Sequence, residues 1–246
     1  MHANGVSFSI AAHAAWAPGI ETPEAWTSWA EMPYPIEGNT EPAVQQMPAM
    51  LRRRAGALGK MALEVAYQCL DGRTNVPVVF CSRHGEVTRA VDLLTDLVRD
   101  EPLSPTSFGL AVHNASAGLF SIARADRANH LALAAGKSTI EHGVIEACGL
   151  LADGEPMVLL VAYDNPLPAV FAQFDECREQ PYAWAWLVVP ADKAAVHLSW
   201  HRTENGLVQE PNNMPPGLQV LGFHLRGDSL LERIADNRCW RWTHHA

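Results

Sequence analysis

The stretch HLALAAGKSTIEHG contains four consecutive residues of the types that end a phosphate-binding loop: Gly136, Lys137, Ser138 and Thr139. In the P-loop motif G-x-x-x-x-G-K-[ST], the first glycine opens a wide loop whose backbone N–H groups surround the phosphates. Leu131 stands at that position here, and residues 131–135 are an apolar run with the length of a buried strand. The pattern favours a strand that runs directly into the turn. Binding of a nucleotide or another small molecule at this GKST turn remains an alternative.

The residues around this turn predict a strand–helix–strand unit. Ser138 and Glu141 have the spacing of a capping box, which predicts that a helix begins here. The inward face of this helix is predicted to carry Ile140, Val144, Ala147, Cys148 and Leu151. The apolar run MVLLVAY then predicts a second strand. Strand, helix and strand within about thirty residues indicate two parallel strands in one covered sheet.

The rest of the first half also alternates strands and helices. Apolar periodicity and breaker residues predict strands at 6–10 and 76–81, a short helix opened by Thr22 and Pro23, and further helices at 48–70, 86–98 and 110–124. Residues 5–165 are therefore predicted to form an α/β core.

The region after residue 165 differs in pattern. The runs YAWAWLVV and AAVHLSW flank PADK and predict a β-hairpin, and NGLVQEPNNMPPG predicts a loop. We expect a late strand at LQVLGFHL and then a short C-terminal helix. Because this region is too small for a second α/β domain, residues 1–246 are predicted to form a single domain.

Composition excludes several classes of function. The formal net charge is −9 and 48% of the residues are hydrophobic, which argues against nucleic acid as a partner. The five cysteines are widely spaced without a C-x-x-C pair, so neither a disulfide framework nor a metal site is expected, and a reducing cytoplasm is the expected compartment. No apolar run is long enough to span a membrane, and no Lys or Arg precedes residues 6–10 as in a signal peptide.

In the order of its elements the chain resembles the β-ketoacyl synthases of the thiolase fold. The resemblance covers residues 5–200 and rests on the segments AAHAAWAPGIETPEAWTSW, MLRRRAGALGKMALEVAYQCL, VPVVFCSRHGEV, HNASAGLFSIARADRANHLALAAGKST and EACGLLADGEPMVLLVAYDNPLP. It implies a thiolase-like layered α/β fold, with a mixed sheet covered by helices. The chain is similar to the N-terminal half of the family, followed by a truncated second half at residues 166–246.

The resemblance places Lys137 where the family has its nucleophilic cysteine. A lysine amine is protonated near neutral pH, and an acyl amide would not transfer onward as a thioester does. The family also uses two histidines from its second half, in His-Gly-Thr and Gly-His contexts. Here the His-Gly pairs are at His84 and His142, both before residue 165. We therefore expect no condensing activity and no cofactor. A stand-alone acyltransferase that uses Ser138 or Cys81 as its nucleophile is the alternative.

Within that family the chain resembles the chain length factors, which are inactive partners that pair with a full-length synthase and limit its acyl tunnel. This resemblance implies a heterodimer that acts in fatty acid, polyketide or aryl polyene chain elongation. By analogy, the residues expected at the tunnel and the dimer interface are Ser107, Phe108, Leu110, Ala111, Val112, Asn114, Leu131, Leu133 and Ala135. The basic cluster Arg52, Arg53 and Arg54 is a candidate docking site for an acidic acyl carrier protein.

Overall fold

The computed structural model describes residues 4–203 and 213–244. The strands are β1 (Asn4–Trp16), β2 (Val78–Cys81), β3 (His130–Leu133), β4 (Val158–Asp164), β5 (Tyr182–Pro190), β6 (Val196–Arg202), β7 (Leu230–Ala235) and β8 (Arg238–His244). The α-helices are α1 (Pro23–Glu31), α2 (Ala49–Arg52), α3 (Ala57–Leu70), α4 (Val87–Val98), α5 (Pro105–Gly109), α6 (Ala115–Arg124), α7 (Thr139–Ala152) and α8 (Pro216–Arg226). Most of the loop predicted at 205–217 lies outside the described residues.

All eight strands form one mixed sheet in the order β3-β2-β4-β5-β1-β6-β8-β7. Strands β3 and β4 lie on either side of β2 and run parallel to it, whereas every other neighbouring pair is antiparallel. The predicted unit of β3, α7 and β4 is confirmed, with β2 between its two strands. The predicted class, a mixed sheet covered by helices, is also confirmed.

Two hydrophobic cores cover opposite faces of the sheet. Along β4, Leu159, Val161 and Tyr163 point into the core under α3 and α6, because successive strand residues face opposite sides. Their neighbours Leu160 and Ala162 point into the core under α7 and α8. This strand is therefore buried on both faces, as its unbroken apolar run predicted.

The prediction of a hairpin from β5 and β6 is wrong. Both strands pair with β1, which lies between them: Phe8 is opposite Pro190 on one side and Val196 on the other. The link between β5 and β6 crosses over β1 near Phe8, and β6 then runs in the same direction as β5. The long strand β1 provides enough length to pair with β5 along one part and with β6 along another. A local pattern of two strands and a short link could not reveal this third strand, which is distant in sequence.

The C-terminal predictions are also wrong. The expected late strand is helix α8 (Pro216–Arg226), which is capped by Gly227 with a φ of +65°. The expected terminal helix is the hairpin of β7 and β8. Its two turn residues, Asp236 and Asn237, have φ values of 53° and 59°, as a type I′ turn requires. Proline at the start and glycine after the end of α8 were the helix signals in the sequence.

One predicted helix is divided in the structure and another is shortened. Residues 48–70 form α2 and α3, because Gly56 adopts extended backbone and serves as the N-cap of α3. The helix predicted at 110–124 begins only at Ala115, after the separate short helix α5. By contrast, Thr22 caps α1 as expected and accepts a hydrogen bond from the Ala25 amide at 3.3 Å. None of the helices in the described ranges is long and apolar enough to cross a lipid bilayer.

Close packing of α7 on the sheet generates a stability prediction. A Cβ atom at Gly143 would lie 2.4 Å from Cys81 Sγ and 3.1 Å from Leu160 Cδ1. Gly143→Ala should therefore lower the free energy of unfolding by about 1–3 kcal/mol through overpacking. Gly149→Ala in the same helix is the control, since its Cβ would meet no atom within 4 Å.

Chemical denaturation of the variants tests this contact. In the background of Cys81→Ala the cost of Gly143→Ala should shrink, because the clashing sulfur is gone. Gly149→Ala should leave stability unchanged or raise it slightly. Equal stability of Gly143→Ala and the parent chain would show that α7 does not pack on β2 in this way.

Candidate functional site

The turn that follows β3 carries the residue at the predicted nucleophile position. Residues Gly136–Ser138 form one turn of 3₁₀ helix that leads directly into α7, and Gly136 has a φ of +54°. Lys137 is exposed, and its Nζ lies 3.7 Å from Glu176 Oε1, also at the surface. The lysine at this position is thus paired with a carboxylate in solvent and is not desolvated as a nucleophilic amine would need to be.

The turn does not have the geometry of a P-loop. Leu131 belongs to β3, and Gly136 follows the strand without a wide loop. The Thr139 hydroxyl accepts from the Ala135 amide at 3.0 Å and donates to the Gly136 carbonyl at 2.7 Å. Because the turn satisfies its own polar groups, binding of a nucleotide at GKST is not favoured.

Ser138 does not form the predicted capping box. Its side chain makes no capping hydrogen bond to α7, and the hydroxyl donates instead to Asp236 in the hairpin turn. The residue is 1% exposed. His142 bonds through Nδ1 to the Ser138 carbonyl at 2.9 Å and not to the hydroxyl. These contacts make Ser138 a structural residue and argue against its use as a nucleophile.

Glu141, the other residue of the expected capping box, forms a buried ion pair. Its carboxylate is fully buried and accepts from Arg233 Nη1, and Trp242 Nε1 donates to it at 3.4 Å. Arg233 Nη2 also donates to the Lys137 carbonyl at 3.0 Å. The C-terminal hairpin therefore fixes the turn at Lys137. Sequence reasoning missed this contact, since Arg233 and Glu141 are far apart in the chain.

A second buried network lies where β2 and β4 end. Arg83 Nε donates to Asp164 Oδ2 at 2.9 Å, and Arg83 Nη1 donates to Glu179 at 2.9 Å. The hydroxyls of Ser82 and Tyr182 also donate to Asp164. Burial, together with the charge of Asp164, raises the pKa of the Tyr182 hydroxyl. The network ties the segment before β5 to the sheet and keeps the Arg83 charge paired.

The cysteines near these elements are not activated thiols. Cys81 is buried under α7, and burial raises the pKa of its thiol far above the usual value. Burial also raises the pKa of Cys177 to about 12, although Arg83 lies nearby. Since the thiolate is the reactive form, Cys81 is not favoured as a nucleophile. No group of three His, Cys, Asp or Glu residues within 4–203 and 213–244 is arranged to hold a metal ion.

Strand β3 lies at the end of the sheet, and its outer edge is unpaired by any described strand. The Val78 amide donates to the Asn129 carbonyl and the Ser82 amide to the Leu133 carbonyl. Alternate residues face opposite ways along a strand, so Ala132 directs its N–H and C=O away from β2. Leu131 and Leu133 are half-buried and pack into the core beneath α7.

The predicted tunnel segment leads to the C-terminal end of β3, where His113 Nε2 contacts the Leu133 carbonyl at 3.1 Å. Phe108 is 68% exposed and Val112 is 45% exposed, whereas Leu110 packs partly into the core under α3. Phe108 and Leu110, which the sequence placed together, therefore differ in burial. Of the other predicted positions, Ser107, Ala111 and Ala135 are half-buried and Asn114 is exposed.

Further apolar side chains are exposed on α4 and in the segment after β4. Leu94, Leu97 and Val98 of α4 are all more than half exposed, as are Val170 and Phe174. A cavity of about 280 Å³ lies between α4 and the segment that contains Val170. Exposed apolar side chains grouped around a cavity are typical of a region that another protein covers.

The three arginines of the basic cluster, Arg52, Arg53 and Arg54, differ in their contacts. Arg52 Nη1 donates to the carbonyls of Ala43 and Val44 at 3.1 and 3.3 Å, which holds the preceding loop. Arg53 and Arg54 are exposed.

Comparison with known proteins identifies the family. A family model described as the β-ketoacyl synthase N-terminal domain matches residues 26–243. The chain belongs to the β-ketoacyl synthase family. The match includes most of the region after residue 165. A search of curated proteins gave no match.

Solved structures of family members are similar over nearly the whole chain. A chain of the complex of the ketosynthase ApeO with its chain length factor ApeC, from Xenorhabdus doucetiae, superposes with a TM-score of 0.83 at 26% identity. The alignment covers 97% of this chain and 99% of that one. The ishigamide ketosynthase/chain length factor gives 0.70 at 11% identity, with 98% and 100% covered. A β-ketoacyl synthase from Burkholderia phymatum STM815 gives 0.58 at 13% identity, with 92% and 71% covered. These last two likenesses show the shared thiolase-like fold.

The ion pair between Arg233 and Glu141 generates a stability prediction. Arg233→Met leaves the Glu141 carboxylate buried without its cation and should cost about 3–5 kcal/mol of unfolding free energy. The double variant Arg233→Met, Glu141→Gln should recover much of that loss, because no unpaired charge is left. Thermal and chemical unfolding measure both. If Arg233→Met alone is as stable as the parent chain, the proposed role of the hairpin in fixing the turn would be contradicted.

Proposed function

We propose that this chain is a chain-length-factor-type subunit, a non-catalytic partner that forms a heterodimer with a full-length β-ketoacyl synthase. The pair would elongate fatty acid, polyketide or polyene chains. The match over 99% of a chain in a ketosynthase–chain length factor complex supports this role. The chain of the β-ketoacyl synthase from Burkholderia phymatum STM815 is covered only to 71%, so that chain is longer than the matched region.

The observation that carries the proposal is the unpaired edge of β3 beside exposed apolar side chains. An open strand edge presents free N–H and C=O groups and is a template for another strand. Phe108 and Val112 are exposed to solvent, and Val112 precedes His113, which contacts the last residue of β3. Pairing of β3 with a strand of the synthase would satisfy the backbone groups and cover these side chains.

The residues at the nucleophile position support a non-catalytic role. Lys137 stands where the resemblance places the family's cysteine, and it is paired with Glu176 at the surface. Ser138 and Cys81 are buried, and each is held in structural contacts. A protonated lysine amine does not attack a thioester, and an acyl amide would be a dead end.

Chain-length control is assigned to Phe108. Its ring does not pack inside this subunit, so it is free to project into the partner and close the far end of the acyl tunnel. A tunnel end is set by side-chain volume, because protein interiors tolerate neither voids nor overlap. Arg53 and Arg54 are the exposed cations at which we expect an acidic carrier protein to dock.

Pairing through the β3 edge is tested by Ala132→Pro. The Ala132 amide faces away from β2, so proline should leave the isolated chain folded while it removes a donor from the edge. The heterodimer with the cognate ketosynthase should then be weakened or lost. Size-exclusion chromatography with light scattering measures the pairing, and thermal unfolding measures the stability of the isolated variant.

Leu133→Pro is the matched control for this variant. The Leu133 backbone faces β2, so this substitution should destabilise the isolated chain itself. A fully paired heterodimer that contains Ala132→Pro would exclude β3 as the pairing strand.

Product length is tested by Phe108→Ala. In the reconstituted pair this variant should give longer products, while the melting temperature of the isolated chain stays near that of the parent because the ring is exposed. Leu110→Ala should lower the melting temperature, since Leu110 packs partly in the core. Chromatography with mass spectrometry reads the chain length. An unchanged product distribution with Phe108→Ala would remove that residue from the tunnel.

A further inference from the structure

A second cavity, of about 280 Å³, lies on the side of α4 that faces α3. Its wall comes from the start of α3, the Gly85–Glu86 turn after β2, helix α4, Ser107 in α5 and the Asn165–Pro166 segment after β4. The cavity thus opens at the ends of two parallel strands, where α/β proteins commonly bind ligands. None of the residues assigned to the turn at Lys137 lines it.

Glu86 is a buried acid without a hydrogen-bond partner in this cavity. Its side chain is 10% exposed, and its carboxylate receives no hydrogen bond from any residue within the described ranges. The nearest cation, Arg89 Nε, is 4.0 Å away, and Arg89 donates from Nη2 to the Arg54 carbonyl at 3.1 Å. Burial raises the pKa of Glu86, and Arg89 only partly opposes that effect. A buried carboxylate that lacks donors is typical of a group that binds a ligand.

The other charges in the cavity favour a cation as the ligand. Asp92 and Asp96 of α4 also line the cavity. With Glu86 they make three carboxylates, and Arg89 is the one guanidinium among the described residues of the lining. Leu58, Val87 and Leu93 provide apolar surface beside them. An apolar wall with carboxylates matches a Lys or Arg side chain, which has an aliphatic stem and a charged tip.

The position of the cavity identifies the protein that would supply this side chain. Ser107 lines it and is one residue from Phe108, whose ring is exposed. A partner that covers Phe108 would therefore lie beside the mouth of the cavity.

We propose that this cavity receives a Lys or Arg side chain of the partner ketosynthase, whose cationic tip binds Glu86. The inference rests on the proposed function for the identity of the partner. The side chain supplies the donors that the Glu86 carboxylate lacks. It also adds a specific charge contact to an interface that is otherwise formed by apolar side chains and strand pairing. Such a contact distinguishes the correct synthase from related ones, because a partner without the cation would bury Glu86 with only Arg89, at 4.0 Å, to compensate its charge.

The first experiment uses the isolated chain and ethylguanidinium as the probe. In a chain labelled with ¹³C at the glutamate carboxyl carbons, the Glu86 signal is assigned by its loss in Glu86→Gln. Titration with ethylguanidinium chloride should shift this signal saturably, and sodium chloride at equal ionic strength should not. Asp92→Asn with Asp96→Asn, on the rim, should weaken the response without affecting the fold. Absence of a saturable shift would overturn the cation site.

The second experiment uses the heterodimer. Each full-length β-ketoacyl synthase of the source organism is co-expressed with this chain, and the Kd of the pair that forms is measured. Glu86→Gln should weaken pairing by at least about tenfold. Glu24→Gln, an exposed acid on α1, should have no effect. If Glu86→Gln is unstable alone, the rim variant provides the same test.

The two experiments separate the possible failures. Pairing that is as tight with Glu86→Gln as with the parent chain would overturn the inference and leave the proposed function intact. If the parent chain pairs with no synthase but its Glu86 signal shifts saturably with ethylguanidinium, the proposed function would be overturned and only a cation site would be kept. A saturable shift together with weakened pairing supports the proposal.

Discussion

The buried ion pair between Glu141 and Arg233 connects the two ends of this fold. Glu141 lies in the first turn of α7, and Arg233 comes from the C-terminal hairpin; both are almost completely removed from solvent. Such a pair is tolerated only when each partner compensates the other, so the hairpin and the turn must form together. Through the Lys137 carbonyl and the Ser138 hydroxyl, the same hairpin holds the segment that leads out of β3. The position of the edge strand therefore depends on residues at the far end of the chain.

In this arrangement the turn at Lys137 has a structural role. Most polar groups around Lys137 bond to other groups of the same chain, and the lysine itself faces solvent with Glu176. Elsewhere on the surface, Phe108 and the apolar residues Leu94, Leu97 and Val98 of α4 are exposed. In the proposed function, the chain is closed where a catalytic member of the family would react and open where a partner subunit would bind. We propose that these two properties together make it a chain length factor.

The sequence predicted the elements whose signals are local. The β3–α7–β4 unit followed from apolar periodicity over about thirty residues, and Thr22 was identified as a helix cap from its own neighbours. Predictions failed where a distant residue decides the outcome. Ser138 and Glu141 have the spacing of a capping box, but Arg233 and Asp236 compete for their side chains. In the same way, β5 and β6 look like a hairpin until β1 is placed between them. The exposure of Phe108 and the burial of Glu86 depend on tertiary packing that no local pattern contains.

The role as a non-catalytic partner is tested most directly by following where the acyl group goes. This chain and its cognate ketosynthase are mixed with an acyl-loaded carrier protein, and intact-protein mass spectrometry is recorded for each subunit, both in the pair and alone. We predict a thioester-sized mass increase on the ketosynthase only, and no acyl adduct on this chain in either sample. A stable adduct on this chain, at Lys137, Ser138 or any other residue of the turn, would contradict the assignment as a non-catalytic chain length factor.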